Sequence, residues 1–186
     1  MDRAMMFLVA LAAATGPTAS DRERLARLPA AWDAALPAAR RAAPADIDAG
    51  GALFAPRTAL PDALPPTGTY RCRVAKLGAK AAGMLDYVAY PWFTCRVSGR
   101  DGAWRLDKLT GSQRFTGTLR PIRDDRALFL GTLQYGYEAR ALPYGRDRQR
   151  DMAGWVERVG PKRWRLALPY PAFESLLDVV ELVPAR

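Results

Sequence analysis

Histidine is absent from the 186 residues, and with it the side chain that most often serves as general base or metal ligand near neutral pH. Cysteine occurs twice, at Cys72 and Cys95, a pair better used as a bridge than as a thiolate metal site. Lysine is scarce: four of the 28 basic side chains, the others being arginine. No Asp-x-Asp-x-Asp-Gly loop offers a calcium site, and no glycine-rich turn opens a helix as a phosphate loop does. No block of five or six like charges marks a binding tail. The formal net charge of +9 therefore reads as an arginine-rich solvated surface rather than a nucleic-acid face. Neither a resident metal nor a cofactor is expected.

The first twenty residues have the outline of an export signal. A short Met1-Asp2-Arg3 head precedes an apolar run from Ala4 to Ala14 and the small residues Thr15-Gly16-Pro17-Thr18-Ala19-Ser20. The run is too short to span a bilayer, so a cleaved signal peptide over 1–20 is expected, with a buried N-terminal helix as the competing reading. Export accords with the cysteines, since disulfides persist in a periplasm or outside the cell. Two free core thiols in a cytosolic protein would be the alternative.

Cys72 and Cys95 sit in segments whose residues alternate as half-buried strands do. Tyr70, Cys72, Val74, Phe93, Cys95 and Val97 share one face; Arg71, Arg73, Thr94 and Arg96 share the other. With Cys72 opposite Cys95, an antiparallel pair sets Val74 against Phe93 and Tyr70 against Val97, and turns at Gly83-Met84. A bridge with this separation of 23 residues stabilises by roughly 3 kcal/mol.

Three regions follow. Residues 21–66 hold a helical stripe (Leu25, Leu28, Trp32, Leu36) interrupted by Pro29 and Pro37, then a proline-rich connector. From residue 67 onward the chain reads as strand and turn. Strands are predicted at 69–77, 87–98, 103–109, 113–121, 127–135, 152–159, 163–168 and 179–183, with a turn and short helix over 169–177. This regular spacing predicts an antiparallel meander closing into a small β-barrel, so the fold class is mainly β with N-terminal helices. The strand from Ala127 to Leu133 is apolar on both faces, which predicts a cover supplied by the helical stripe. Glycines 117, 131 and 154 recur inside strands and are read as bending points.

Candidate chemistry is thin. Ser112 follows Lys108 by four residues, and a serine–lysine pair is one nucleophilic solution, although a β-turn explains the same string. Asp86, Asp107, Glu138, Glu157 and Glu174 stand beside arginines or at turns, which predicts ionised, partnered acids rather than a general acid. Arg71, Arg73, Arg96 and Arg114 could hold an anion, but the face opposite the cysteines reads as the barrel exterior. Trp104, Trp155 and Trp164 could line a pocket or fill the core.

Five strings, Tyr70-Arg71-Cys72-Arg73, Lys76-Leu77-Gly78, Tyr90-Pro91-Trp92-Phe93-Thr94-Cys95-Arg96, Lys108 to Arg114 and Arg163 to Pro169, make the chain resemble an uncharacterised family of exported proteins from alphaproteobacteria. That resemblance implies a bacterial envelope location and assigns no site residues. The meander is also similar in pattern to lipocalin-type barrels. The expectation is therefore a periplasmic or secreted monomer without enzymatic activity, binding a small ligand or an envelope component. A hydrolase using Ser112 and Lys108, or a basic module docked on anionic envelope polymer, would be the alternatives.

Overall fold

The computed structural model describes residues 16–100 and 102–185. The apolar run of the expected export signal therefore lies outside the described residues as far as residue 15. Two helices come first: α1 (Ala19–Ala26), capped by the Thr18 hydroxyl accepting from the Asp21 N–H, and α2 (Leu28–Ala42). The break falls at Arg27 because Pro29 starts a helix well, its missing N–H being one that has no helical partner there. Pro37 is carried within α2. A short α3 (Pro44–Gly50) and a single 3-10 turn (Gly51–Phe54) lead into the connector.

Nine strands follow: β1 (Gly68–Ala79), β2 (Tyr87–Ala89), β3 (Phe93–Arg100), β4 (Ala103–Lys108), β5 (Gln113–Arg123), β6 (Arg126–Tyr135), β7 (Asp151–Gly160), β8 (Arg163–Pro169) and β9 (Ser175–Pro184). All neighbours are antiparallel, and β9 pairs back onto β1 from Tyr70–Pro184 to Ala79–Ser175. Eight strands thus close a barrel, and β2 is an extra short strand beside the far half of β1. The expected architecture is the observed one.

Three details differ from the sequence reading. The strand expected over 87–98 is split into β2 and β3, because Pro91 has no N–H to give to the ladder. In the β1–β3 pair Tyr70 faces Cys95 and Cys72 faces Phe93, so the cysteines are diagonal rather than directly opposite; with Cα atoms 5.8 Å apart they still form the disulfide. Finally, 169–177 contains no helix: residues 170–174 turn tightly, with Tyr170 and Glu174 at positive φ, and β9 begins at Ser175.

Alternation sorts the strands cleanly. Tyr70, Cys72, Cys95, Val97, Leu106, Phe115, Leu119, Phe129, Trp164, Leu166, Val180 and Leu182 fill the interior. Gly117 and Gly131 face each other across β5 and β6, and a Cβ on either would lie 2.5 Å from the Phe129 ring. Those glycines make room for an aromatic ring rather than merely bending strands.

Outside, the helical layer packs on β1 and on β6 to β9. Leu28, Ala31, Trp32, Ala35 and Ala39 of α2 pack on Ala75, Leu77, Ala167, Leu177 and Val179, while Leu25 of α1 packs on Leu128, Leu130 and Ala153. The doubly apolar β6 is thus covered by α1, and α2 lies instead over β1, β8 and β9. Gly78, with φ of 69°, lets α2 approach: a Cβ there would meet the Ala35 backbone at 2.9 Å.

Candidate functional site

The strand order gives the barrel two distinct ends. One carries the β3–β4, β5–β6 and β7–β8 turns and the entry of β1. The connector closes it: Leu60 bridges to Arg158, the Ala63 N–H donates to the Asp124 carbonyl, and Ala63 joins the barrel core with Leu64 against it. Tyr70 and Trp164 meet edge to face below this plug, their rings 6.0 Å apart. Their polar atoms donate to the connector carbonyls of Pro66 and Asp62.

The other end is open. Between the β1–β2, β4–β5, β6–β7 and β8–β9 connections lie two adjoining cavities of about 230 and about 340 Å³, sharing Lys76, Gln113, Leu133, Met152, Leu168 and Asp178 as walls. Val74, Phe93, Phe115 and Val180 complete the inner cavity, with Tyr90 and Ser112 at its rim. Most of this wall is apolar, yet three inward positions carry charge. Lys76 follows Val74 on β1, Lys108 follows Leu106 on β4, and Asp178 precedes Val180 on β9.

These three are partnered unequally. Lys76 pairs with Glu174 at 2.7 Å and approaches Asp178 at 4.0 Å, contacts that raise its pKa against the desolvation that lowers it. The Asp178 carboxyl accepts from the Ser175 hydroxyl, and burial pushes its pKa upward. Lys108 is 7% exposed. Its Nζ donates to the Gln113 carbonyl at 2.6 Å and sits 3.6 Å from the centre of the Phe93 ring. No carboxylate among the described residues lies within ion-pair distance of it. Burial, aided by the charge of Arg114, brings its pKa down to about 8.

The arginines expected on the far face from the cysteines are outside the barrel. Arg71 and Arg73 stack on Trp92 at 4.5 and 4.8 Å, and Arg73 also pairs with Glu181 at 2.6 Å. Arg96 is exposed, and an Arg114 N–H donates to the Gly136 carbonyl. None of the four lines the open end. Nor do the tryptophans: Trp104 and Trp164 pack in the core, and Trp155 lies outside, donating to the Leu25 carbonyl and bordering, as a pocket-lining residue, a separate outer cavity of about 910 Å³ with Leu25, Trp32 and Leu128.

Of the five carboxylates considered, Glu157 pairs with Arg126 and Arg165, Glu138 with Arg150, Asp107 with Arg105, and Glu174 with Lys76. Asp86 accepts from the Ala79 N–H. Ser112 and Lys108, paired in the sequence reading, do border the same cavity. Lys76 and Asp178 were not among the candidates, although alternation alone sets them on the faces of Tyr70 and Leu182.

No helix among the described residues is long and apolar enough to cross a membrane, and no group of metal-ligating side chains occurs among them. Over residues 15–182 the chain matches the family model described as Domain of unknown function (DUF4893), and it belongs to that family. No curated protein and no solved structure matches it.

Proposed function

We propose that this family member is an exported, non-catalytic binding protein of the bacterial envelope, which takes one small, mainly apolar molecule with a hydrogen-bond-accepting head into the open end of its barrel. One observation carries the reading: a buried cation, Lys108, faces a mainly apolar cavity with one carbonyl among the described residues to receive its protons. Small barrels hold single ligands at such mouths, and the adjoining cavities suit a short chain rather than a full-length lipid. The formed disulfide, with the signal-like N-terminus, supports a periplasmic or secreted location. Docking on an anionic polymer is less favoured, because Arg73, Arg126, Arg150, Arg163 and Arg165 are already engaged with carboxylates of the chain.

Calorimetric titration with hexanoate tests this. The wild type is expected to bind, the Lys108→Met variant to bind at least tenfold more weakly, and an Arg71→Ala/Arg96→Ala variant to match the wild type. Loss of affinity in the arginine variant with an unchanged Lys108→Met would move the site to the exterior. The hydrolase reading draws on Ser112 bordering the same cavity; covalent labelling of Ser112 by a fluorophosphonate would favour it over simple binding.

A further inference from the structure

Where this protein needs a buried or bracing cation on its outer layer, it uses arginine. Arg165, Arg126, Arg163 and Arg73 all hold carboxylates there. Three of its four lysines are gathered at the open end of the barrel instead. Lys76 and Lys108 face inward, and Lys80 joins the tip of β1 to the Pro171 carbonyl. The fourth, Lys162, is exposed in the turn at the plugged end. The chemical difference is that a guanidinium keeps its proton, whereas an ammonium in a dry setting gives it up and becomes a nucleophile.

Among these lysines Lys108 alone combines burial, an apolar cavity in front of it and no carboxylate among the described residues to hold its charge. Resting on the reading of the open end as a ligand-holding cup, we propose that Lys108 is a covalent anchor, its Nζ condensing reversibly with the carbonyl carbon of a small aldehyde or ketone seated there. The lone pair of the neutral amine attacks the carbonyl carbon. As the C–N bond forms, the π pair moves to oxygen, which takes up a proton while nitrogen releases one. The resulting carbinolamine loses its hydroxyl, with one further proton, as water, and C=N forms; hydrolysis returns both partners unchanged. The proton that leaves with water is the one remaining on the carbinolamine nitrogen, passed through solvent at the open mouth. The pKa of about 8 at Lys108 leaves roughly a tenth of the protein with a free amine at pH 7.

The test is incubation of the full chain with hexanal and cyanoborohydride at pH 7, followed by intact mass and peptide mapping, alongside hexanoate calorimetry. The expected result is one reduced hexyl adduct on Lys108, formed at least tenfold faster than on exposed Lys162 and suppressed by excess hexanoate. Lys108→Arg, which keeps the cation, is expected to lose that adduct while still binding hexanoate. Equal labelling of Lys108 and Lys162, with hexanoate binding intact, overturns the covalent anchor and leaves the cup standing. Absence of both hexanoate binding and the Lys108 adduct overturns both.

Discussion

The plugged and open ends of the barrel are built from the same eight strands, yet their inward positions differ in kind. Along β1 the interior reads Tyr70, Cys72, Val74, then Lys76; along β4 it reads Trp104, Leu106, then Lys108; along β9, from the plug outward, Leu182, Val180, then Asp178. Three strands switch from apolar to charged where they wall the inner cavity. Folding alone favours continuing the apolar series, because taking a charge out of water is unfavourable unless it is fully paired. A local rule broken at three positions around one cavity marks where the chain is shaped for something besides folding. At the plugged end the polar atoms of Tyr70 and Trp164 reach connector carbonyls, so that end is organised for closure.

Two buried cations sharpen this contrast. Arg165 is fully buried outside the barrel wall, and its guanidinium meets Glu157 at 2.7 Å, the carbonyls of Ala52, Leu53, Ala55 and Pro56, and the Trp32 ring. It ties the connector to β8 and leaves no donor for a ligand. Arg165→Met is therefore expected to lower stability by about 3–5 kcal/mol, since Glu157 is left buried with Arg126 as its remaining ion-pair partner. Urea unfolding reads this; a loss below about 1 kcal/mol would show that the connector is held by packing alone. The disulfide comes next in size. It joins β1 to β3 just before the partner of β1 changes from β3 to β2. Cys72→Ala/Cys95→Ala is expected to cost about 3 kcal/mol, read as a lower urea midpoint. If reduction weakens hexanoate binding more than it lowers that midpoint would explain, the bridge shapes the open end as well as stabilising the barrel.

The eight barrel strands, the tight turns between β3 and β6 and the outward direction of Arg71 and Arg96 were legible because alternation and turn residues report local geometry directly. Register was not: sliding β3 by two residues leaves every side chain on its own face, so the diagonal placement of the cysteines is invisible to pattern. Closure of β1 on β9 joins residues about a hundred apart in sequence and has no local signature. The turn and short helix expected over 169–177 take Ser175 out of the last strand, and the strand expected from Val179 leaves Asp178 just outside it, although Asp178 walls the open end. The face of Tyr70, Cys72 and Val74 continues to Lys76, but a single lysine near a strand end carries no pattern that marks it as the wall of a cavity. The connector's role as a plug rests on Ala63 and Leu64, which nothing in a proline-rich string distinguishes.

The smallest effect tests the contrast most directly. In the unfolded chain Lys108 titrates near the ordinary 10.5, and in the folded barrel near 8. Between those values the unfolded state binds more protons, so stability rises with pH across the window; the penalty is fully present below pH 8 and gone above about 10.5. At about 1.4 kcal/mol per pH unit the whole drop is worth about 3 kcal/mol, and the hydrogen bond to the Gln113 carbonyl, which methionine gives up at every pH, offsets about 1 of that. Lys108→Met is thus expected to be about 2 kcal/mol more stable than the wild type at pH 7, with the gap closing as pH rises. Other groups titrate nearby: Lys80, lowered by burial, acts in the same direction, while Tyr70 and Tyr144, pushed to about 12, lower stability above pH 10. They act alike in both proteins, so the difference between two urea series from pH 7 to 9.5 isolates Lys108. A difference that stays flat over that range would mean that Lys108 is held as completely as Arg165, and the two ends would then differ in shape alone.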